Sequence, residues 1–296
     1  MPDPMVLLTS VCVPFRNTHE PNSIMAELFQ ASVTRAQGPW SPRVVNHQWG
    51  LDVLAENIRA PTVVLHYPTE EDLIRELKRY RFAVVGISFN LCTYPEMLRT
   101  AALIRRFAPK ATLVLGGYGT ALPDELLRQT ADLFCRGDGI PFMQDLLGEP
   151  RRPHVAPIIT HTTRLLGMKV SDGGVICAGL GCPRGCDFCM TSHFHKQRYI
   201  PFLETGRDIF EVILRTRRIF PHITDFSITD EDFLVDELRA HQLRDQIRAS
   251  QLPLSLSIFA SAQSLNHYSP MDLAEMGVDG IWIGVESPRA VLPRLH

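Results

Sequence analysis

The nine residues 181–189, with the sequence GCPRGCDFC, constrain the chemistry of this chain more than any other segment. Three of the seven cysteines fall here, Cys182, Cys186 and Cys189, with the spacing Cys-x3-Cys-x2-Cys. The glycines and the proline keep the segment out of helix and strand, so that it can fold as a loop around a central object. Thiolates are soft ligands that suit iron–sulfur clusters and zinc. Three thiolates on a four-iron cluster would leave one iron open to another ligand.

The spacing, the Gly-Cys-Pro start and the aromatic Phe188 before the last cysteine resemble the cluster loop of radical S-adenosylmethionine (SAM) enzymes. The resemblance implies that Cys182, Cys186 and Cys189 hold a 4Fe–4S cluster, and that SAM chelates the open iron. It also implies that the backbone of Phe188 faces the adenine. In that family an electron from the cluster cleaves SAM to a 5′-deoxyadenosyl radical, so an external electron donor such as a flavodoxin or ferredoxin is an expected partner.

Two other uses of the cysteines are weighed against this one. A structural zinc site would use the same three thiolates with Cys177, His193 or His195 as the fourth ligand. A ferredoxin-like electron carrier is disfavoured because no second run of cysteines follows. Three cysteines in one polar loop are poorly explained as buried core thiols.

The length and composition of the chain indicate its number of domains and its cellular compartment. The 296 residues suggest about two domains, and a hydrophobic content of 45% allows a sizeable core. A formal charge of −2 gives no indication of a nucleic-acid or anionic-membrane surface. We see neither a signal peptide nor an apolar stretch of membrane-spanning length. An odd number of cysteines, clustered at one loop, favours a reducing compartment, so we expect a soluble cytoplasmic protein.

Residues 1–148 alternate between predicted strands and helices. Apolar runs typical of buried strands lie at residues 5–8, 62–65, 82–87, 112–115 and, more weakly, 132–135. Helix starts are indicated by Thr69 with Asp72, and by Thr93 with Glu96 as a capping box. This alternation predicts a doubly wound α/β domain with a parallel sheet, whose ligand site lies beyond the carboxyl ends of the strands.

Small and polar residues follow three of these strands, as such a ligand site requires. They are Ser88, then Gly116, Gly117 and Thr120, and finally Gly137. Glycine at a strand end lets a ligand approach the backbone closely. The dinucleotide-binding fingerprint is absent, because Leu122 stands where its third glycine would be.

The order and content of these strand ends resemble the cobalamin-binding domain that precedes the barrel in one large branch of radical SAM enzymes. The matching pieces are Gly86-Ile87-Ser88, the Gly116-Gly117 pair with Thr120, and the RGDG turn at residues 136–139. The resemblance covers residues 50–148 and implies that cobalamin binds against the strand-end residues named above. The Asp-x-His-x-x-Gly motif of other cobalamin proteins is absent. His47-x-x-Gly50 is a partial echo of it, and we interpret His47 as an ordinary loop histidine.

Three further cysteines suggest an alternative. Radical SAM methylthiotransferases carry a second cluster on cysteines of their N-terminal domain, and Cys12, Cys92 and Cys135 are the candidates here. Cys135 lies in an apolar strand, which suits a buried core thiol. Cys92 lies beside a helix start, and the sequence around Cys12 does not match that family. The second cluster is therefore the less favoured hypothesis.

A proline-rich segment, residues 149–171, is predicted to link the first domain to a second at residues 172–296. The second domain repeats strand and helix four times, as a parallel barrel would. Predicted strands lie at residues 175–177, 226–228, 254–259 and 281–287, and apolar positions such as Leu238, Leu243 and Ile247 mark one of the helices.

Acidic residues stand at two of these strand ends. Asp230, followed by Glu231 and Asp232, ends the second strand, where acidic residues of radical SAM enzymes meet the SAM amino group. A solvated acidic turn is the plain alternative. Glu286, in Gly-Val-Glu-Ser, resembles the fourth-strand residue near the SAM ribose.

Radical SAM barrels normally have six strands, and this sequence stops after the fourth. We therefore expect a fragment or truncated product, with residues 281–285 as an unpaired edge, poor solubility and weak SAM cleavage. As a whole, the sequence predicts a cobalamin-binding-type domain followed by an incomplete radical SAM barrel. Such an enzyme would use a 4Fe–4S cluster, SAM and cobalamin for methyl transfer, or a related modification, of an unknown small-molecule substrate. The remaining alternatives are a radical SAM enzyme whose first domain binds no cobalamin, and a non-catalytic iron–sulfur or zinc protein left by truncation.

Overall fold

The computed structural model describes residues 5–12, 43–44, 47–166 and 168–284. The chain divides into two compact units. The first is Met1–Val155 with Arg164–Met168, and the second is Ala156–Thr163 with Lys169–His296. Within the described ranges, no helix is long and apolar enough to cross a membrane.

The first unit is built on a parallel sheet. The strands of this sheet are β1 (Val6–Ser10), β3 (Thr62–Leu65), β4 (Val84–Ser88), β5 (Thr112–Gly116) and β6 (Leu133–Phe134), and the short strand β2 (Arg43–Val44) lies outside it. Its described helices are α1 (Trp49–Glu56), α2 (Glu70–Arg79), α3 (Tyr94–Phe107), α4 (Asp124–Arg128) and α5 (Gly139–Leu147). The sheet has the order β3-β1-β4-β5-β6, with every neighbouring pair parallel. The order reverses between β1 and β4, which is where ligands of such sheets bind.

Both faces of this sheet are covered, which confirms the prediction of a doubly wound domain. Leu7 of β1 packs on one face with residues of α2 and α3, including Leu73 and Met97. Its neighbours Val6 and Leu8 pack on the other face with residues of α1 and α5. Successive side chains of a strand point to opposite faces, so a continuous apolar run is what a doubly covered strand needs.

One helix start agrees with the sequence prediction and one does not. Thr69 caps α2 by accepting a hydrogen bond from the backbone N–H of Asp72, at 3.1 Å. The predicted Thr93–Glu96 capping box is wrong. Thr93 instead forms a reciprocal pair with Asn90, which caps a short 3₁₀ turn before α3. The chain leaves β4 through this tighter turn, so the capping position falls three residues earlier than predicted.

The second half of the chain contains a second sheet. The strands in this half of the chain are β7 (Ile159–Leu165), β8 (Met168–Ile176), β9 (Gly179–Leu180), β10 (Ile200–Pro201), β11 (Asp225–Ile228), β12 (Ser255–Phe259) and β13 (Val278–Trp282). Its helices are α6 (Met190–Phe194), α7 (Gly206–Ile219), α8 (Glu237–Ser250), α9 (Ala262–Leu265) and α10 (Pro270–Glu275). In the main sheet β13, β12, β11, β8 and β7 are neighbours in that order, and β8, β11, β12 and β13 run parallel. Strands β9 and β10 form a separate antiparallel pair.

Three sequence predictions for the second half of the chain differ from the structure. The predicted linker 149–171 contains β7 and the start of β8, because β-branched residues favour strands even where the segment is polar. Leu238 is 70% exposed, and the next residue of α8, Arg239, is buried instead. The last strand begins at Val278, three residues before its predicted start. Glu286 and the predicted edge at residue 285 lie outside the described residues.

Candidate functional site

The carboxyl edge of the first sheet presents bare backbone at three predicted residues. Gly117 has φ +81°, and a Cβ there would lie 2.6 Å from the carbonyl oxygen of Phe89, so only glycine fits. Gly137 has φ +109°, and no atom lies within 4 Å of the point where a Cβ would stand. At Gly116 the nearest atom to such a Cβ would be the Ile87 carbonyl oxygen at 4.0 Å. Gly116 and Gly137 therefore leave room beside the backbone at this edge.

Thr120, which we predicted to contact the cofactor, uses its hydroxyl for hydrogen bonds within the protein. It is fully buried, and its hydroxyl lies 2.8 Å from the carbonyl oxygen of Gly117 and 3.0 Å from that of Cys135. Arg136 adds a second tie, because its Nε donates to the Thr120 carbonyl oxygen at 2.6 Å. Thr120 thus fixes the glycine turn after β5 to the end of β6.

Ser88 belongs to a polar chain that sequence analysis did not find. Gln48 Nε2 donates to Ser88 Oγ at 3.1 Å, and the Tyr67 hydroxyl donates to Gln48 Oε1 at 2.7 Å. The backbone N–H of Tyr67 donates to Ser10 Oγ at 2.5 Å. Burial raises the pKa of Tyr67 to about 12, so the phenol stays a neutral donor. This chain joins the carboxyl ends of β1, β3 and β4 at the reversal point of the sheet.

Two histidines and an aspartate lie beside this polar chain. His66 Nε2 lies 3.1 Å from Asp52 Oδ1, and the backbone N–H of Gln48 donates to His66 Nδ1 at 3.1 Å. The ring of His47 stands 4.5 Å from that of His66, centroid to centroid. Burial lowers the pKa of His47. His47 lies in a loop, as we predicted, and its ring contacts that of His66.

The three cysteines of the second unit lie on a loop shaped by two glycines. Gly181 has φ +84°, and a Cβ there would lie 2.2 Å from the carbonyl oxygen of Arg198. Gly185 has φ +71°. Cys182 is buried, whereas Cys186 and Cys189 are partly exposed. Cys182 is thus the buried member of the three, and Cys186 and Cys189 lie closer to the surface.

Hydrogen bonds connect the backbone of this loop to α6, the helix that follows it. Ser192 Oγ donates to the carbonyl oxygen of Cys182 and accepts from the N–H of Gly185, both at 2.9 Å. The N–H of Cys189 donates to the carbonyl oxygen of Cys186 at 2.9 Å. Phe188, the predicted adenine neighbour, is 56% exposed. The loop therefore keeps a defined backbone and presents its aromatic side chain outward.

The three acids after β11 support this segment in different ways. Asp232 pairs with Arg184 of the cysteine loop and accepts from Ser264 Oγ at 3.0 Å. Asp230, the predicted SAM contact, is buried, and its Oδ2 pairs with Arg239 at 2.6 Å. The Asp230 Oδ2 atom also accepts from the Tyr199 hydroxyl at 2.7 Å.

Glu231, between these two aspartates, is exposed. Its Oε1 accepts a hydrogen bond from Thr191 Oγ1 at 3.1 Å. Although Glu231 is exposed as a residue, desolvation around its carboxylate, helped by the nearby charge of Asp230, raises the pKa of Glu231.

The geometry also bears on the zinc alternative. Zinc in a tetrahedral site binds thiolates at about 2.3 Å, which places their sulfurs about 3.8 Å apart. Among the described residues, only one group of three or more His, Cys, Asp or Glu has all its ligand atoms within 4.8 Å, and it contains none of the cysteines. In a four-iron cluster each thiolate binds a different iron, so a wider separation is expected.

The second-cluster alternative receives no support from its three cysteines. Cys12 and Cys135 are buried, and burial raises the pKa of each thiol to about 11. Cys12 follows β1 and Cys135 follows β6, three strand positions away, or about 14 Å at the usual spacing. Cys92 is exposed. The prediction that Cys135 is a core thiol is confirmed.

Residues 42–147 match the family model described as B12 binding domain. The matched segment includes β3 to β6 and all the predicted strand-end residues of the first unit. This unit therefore contains a B12-binding domain with a parallel doubly wound sheet. Such domains occur in cobalamin-dependent enzymes, including methyltransferases and radical SAM enzymes. None of the curated proteins compared with this chain matches it.

Proposed function

We propose that this chain is a cobalamin-dependent radical SAM protein that acts in methyl transfer or a related modification. One observation carries the proposal. The chain with a B12-binding domain at residues 42–147 also has a closed Cys-x3-Cys-x2-Cys loop, which follows the first of four parallel strands. Catalytic groups of parallel α/β folds gather at the carboxyl ends of strands, which is where this loop begins.

The chain's own residues would hold cobalamin by shape rather than by charge. Gly116, Gly117 and Gly137 leave backbone uncovered at the sheet edge, and Ser88 supplies a hydroxyl beside them. Thr120 acts indirectly by fixing the glycine turn. The family match and this uncovered edge fit the group.

Cys182, Cys186 and Cys189 would hold a 4Fe–4S cluster, with SAM at the fourth iron. The donor set fits, since soft thiolates are the usual ligands of such clusters and no fourth cysteine stands in the loop. When bound, these groups supply reductive cleavage of SAM, and cobalamin supplies methyl transfer. The work of the protein is to position them and exclude solvent.

Within this proposal, Glu231 rather than the predicted Asp230 is the acid that would meet the SAM amino group. Asp230 is committed to a buried ion pair with Arg239. Glu231 is exposed and holds only the Thr191 hydroxyl among the described contacts. An ammonium group would gain a carboxylate there without breaking an existing ion pair.

The partners follow from the same chemistry. A low-potential donor such as a flavodoxin or ferredoxin would reduce the cluster, and the partly exposed side of the loop at Cys186 and Cys189 offers it access. The modified molecule would be a small substrate. No disulfide joins the described cysteines, which fits a reducing compartment, and a cytoplasmic location is part of the proposal.

Anaerobic reconstitution of the full chain tests the cluster and SAM together. We expect about four iron atoms per chain and a visible absorption typical of iron–sulfur proteins. Addition of SAM should change the electron paramagnetic resonance spectrum of the reduced cluster. Stoichiometric zinc without iron-dependent absorption would overturn this part of the proposal.

Hydroxocobalamin binding tests the other half. The full chain, mixed with hydroxocobalamin and passed over a gel-filtration column, should retain the corrin absorbance. A chain that takes up iron and responds to SAM but retains no corrin would be a radical SAM protein without cobalamin, and the reverse result would leave only a cobalamin carrier.

A further inference from the structure

We propose that Tyr67 and Gln48 are positioning residues that fix the hydroxyl of Ser88 as a hydrogen-bond donor, so that the ligand group bound beside it is an oxygen acceptor. This inference rests on the proposed binding of cobalamin at the edge of the first sheet, and it names the chemistry of one contact there. Tyr67, Gln48 and Ser88 form a chain of hydrogen bonds, and the chemistry of each group decides the direction of each bond.

The direction is set at Tyr67. Its hydroxyl lies 2.7 Å from Gln48 Oε1. An amide oxygen carries no proton, so the phenol must be the donor in this pair. Burial raises the pKa of Tyr67 to about 12, so the phenol keeps its proton at neutral pH. Because Oε1 of the Gln48 amide faces Tyr67, its nitrogen faces the other way, toward Ser88.

Ser88 receives the second bond of the chain. Gln48 Nε2 lies 3.1 Å from Ser88 Oγ. An amide nitrogen only donates, so Ser88 Oγ accepts, and the hydroxyl must give its own proton to another group. No acceptor for that proton stands among the described residues. Ser88 Oγ would lie 2.9 Å from a Cβ at Gly117, so the hydroxyl borders the bare backbone of the glycine turn.

The backbone of Tyr67 supplies an independent observation. Its φ is +44°, although the residue is bulky and buried. Such a conformation is rare for a large side chain, persists only where the surroundings hold it, and is concentrated at functional sites. Here the N–H of Tyr67 donates to Ser10 Oγ at 2.5 Å, and its hydroxyl is held by Gln48. The strained residue lies at the reversal point of the sheet, where ligands of such folds bind.

The chain consists of uncharged groups, and this limits what it can recognise. A neutral hydroxyl donor suits an oxygen with an available lone pair, and it needs no opposite charge on the ligand. Cobalamin carries such oxygens in its peripheral amide carbonyls and in its phosphate. The shared chemistry is the oxygen acceptor, and one hydrogen bond of this kind contributes modestly to affinity.

Gln48→Glu tests the direction of the chain in the full-length protein. Glutamate has nearly the shape of glutamine, but an ionised carboxylate only accepts, so the hydroxyl of Ser88 would turn its proton inward. Equilibrium dialysis against hydroxocobalamin measures the affinity. We expect Gln48→Glu and Ser88→Ala each to bind about tenfold more weakly than the parent. The double variant should also bind only about tenfold more weakly, because both changes remove the same donor.

Gln129→Glu is the matched control. Gln129 is exposed and precedes β6, so this variant adds the same charge to the same unit away from the carboxyl edge of the sheet. It should bind hydroxocobalamin as the parent does. An unchanged affinity in Gln48→Glu, or an additive loss of about a hundredfold in the double variant, would overturn the inference. A parent chain that binds no hydroxocobalamin would instead remove the proposed cobalamin function, and this inference with it.

Tyr67→Phe decides the matter should Gln48→Glu fail to fold by circular dichroism. This variant keeps the ring in the core but removes the donor, so the Gln48 amide is free to turn over and accept from Ser88. We expect an affinity about threefold lower than that of the parent, and no further loss when Ser88→Ala is already present. Equal affinities of Tyr67→Phe and the parent would overturn the inference.

Discussion

The edge of the first sheet and the cysteine loop of the second unit both lie at carboxyl ends of parallel strands, but they are built in different ways. At the edge of the first sheet, glycines leave stretches of backbone without side chains, and most of the polar groups nearby are uncharged. The cysteine loop of the second unit is instead tied down by an ion pair, with Arg184 on Asp232. A broad organic ligand needs open surface, whereas a small cluster held by three bonds needs fixed ligand positions.

The largest expected effect is the loss of the cluster in Cys186→Ala. Removing one of three thiolates should reduce reconstituted iron from about four atoms per chain to near background. Cys92→Ala is the control, because Cys92 is exposed and lies in the first unit. Full iron content in Cys186→Ala would mean that the loop does not hold the cluster, and loss of iron in Cys92→Ala would revive the second-cluster alternative.

Thiol reactivity should separate the two regions next. The pKa of Cys12 and of Cys135 is about 11, so at about pH 8 only about one molecule in a thousand carries the reactive thiolate at either position. Iodoacetamide labelling followed by peptide mass spectrometry, on cluster-free protein, should modify both residues far more slowly than Cys92. Their labelling rates should keep rising as the pH approaches 11. Rapid labelling of Cys135 at neutral pH would contradict its place in the core.

Asp230→Asn tests whether ion pairs hold the second unit together. Asp230 and Arg239 have side chains that are each 1% exposed, and breaking such a buried pair costs about 3–5 kcal/mol of unfolding free energy. Chemical denaturation followed by circular dichroism measures the loss.

Arg248→Ala is the control for that measurement. It removes an exposed pair with Glu275 and should cost about 0–1 kcal/mol. Similar losses in Asp230→Asn and Arg248→Ala would show that Asp230 is available to bind a ligand, as the sequence first suggested.

The smallest effect is expected at the open edge of the first sheet. Gly116→Ala adds a methyl group whose nearest protein atom lies at 4.0 Å, so folding should be almost unchanged. If cobalamin approaches this backbone, its affinity should fall about tenfold, which corresponds to about 1.4 kcal/mol. Gly117→Val would be a poorer test, since its side chain would also clash with Phe89. Equilibrium dialysis measures this affinity. An unchanged affinity in Gly116→Ala would mean that the corrin does not contact the end of β5.

Sequence patterns predicted features that are local in the chain. The cysteine spacing and the apolar runs are each short, and every predicted strand except β8 starts within three residues of its predicted position. The set of Gln48, Asp52 and His66 escaped notice because it forms only when α1 meets the end of β3. His66 follows a strand directly, so the rule that selected Ser88 would have selected it too.

The three acids after β11 show a second limit of sequence prediction. Asp230, Glu231 and Asp232 are consecutive, and nothing in that tripeptide indicates which one is buried. The choice depends on Arg239, which lies in the helix that follows, and on Tyr199, which lies before the strand. Glu286 remains a prediction, because it lies outside the described residues.

The ion pair between Arg184 and Asp232 ties the cysteine loop to the end of β11 through side chains alone. If the proposed cluster binds in this loop, that support would remain after oxygen destroys the cluster. Reassembly would then need only iron, sulfide and reducing equivalents.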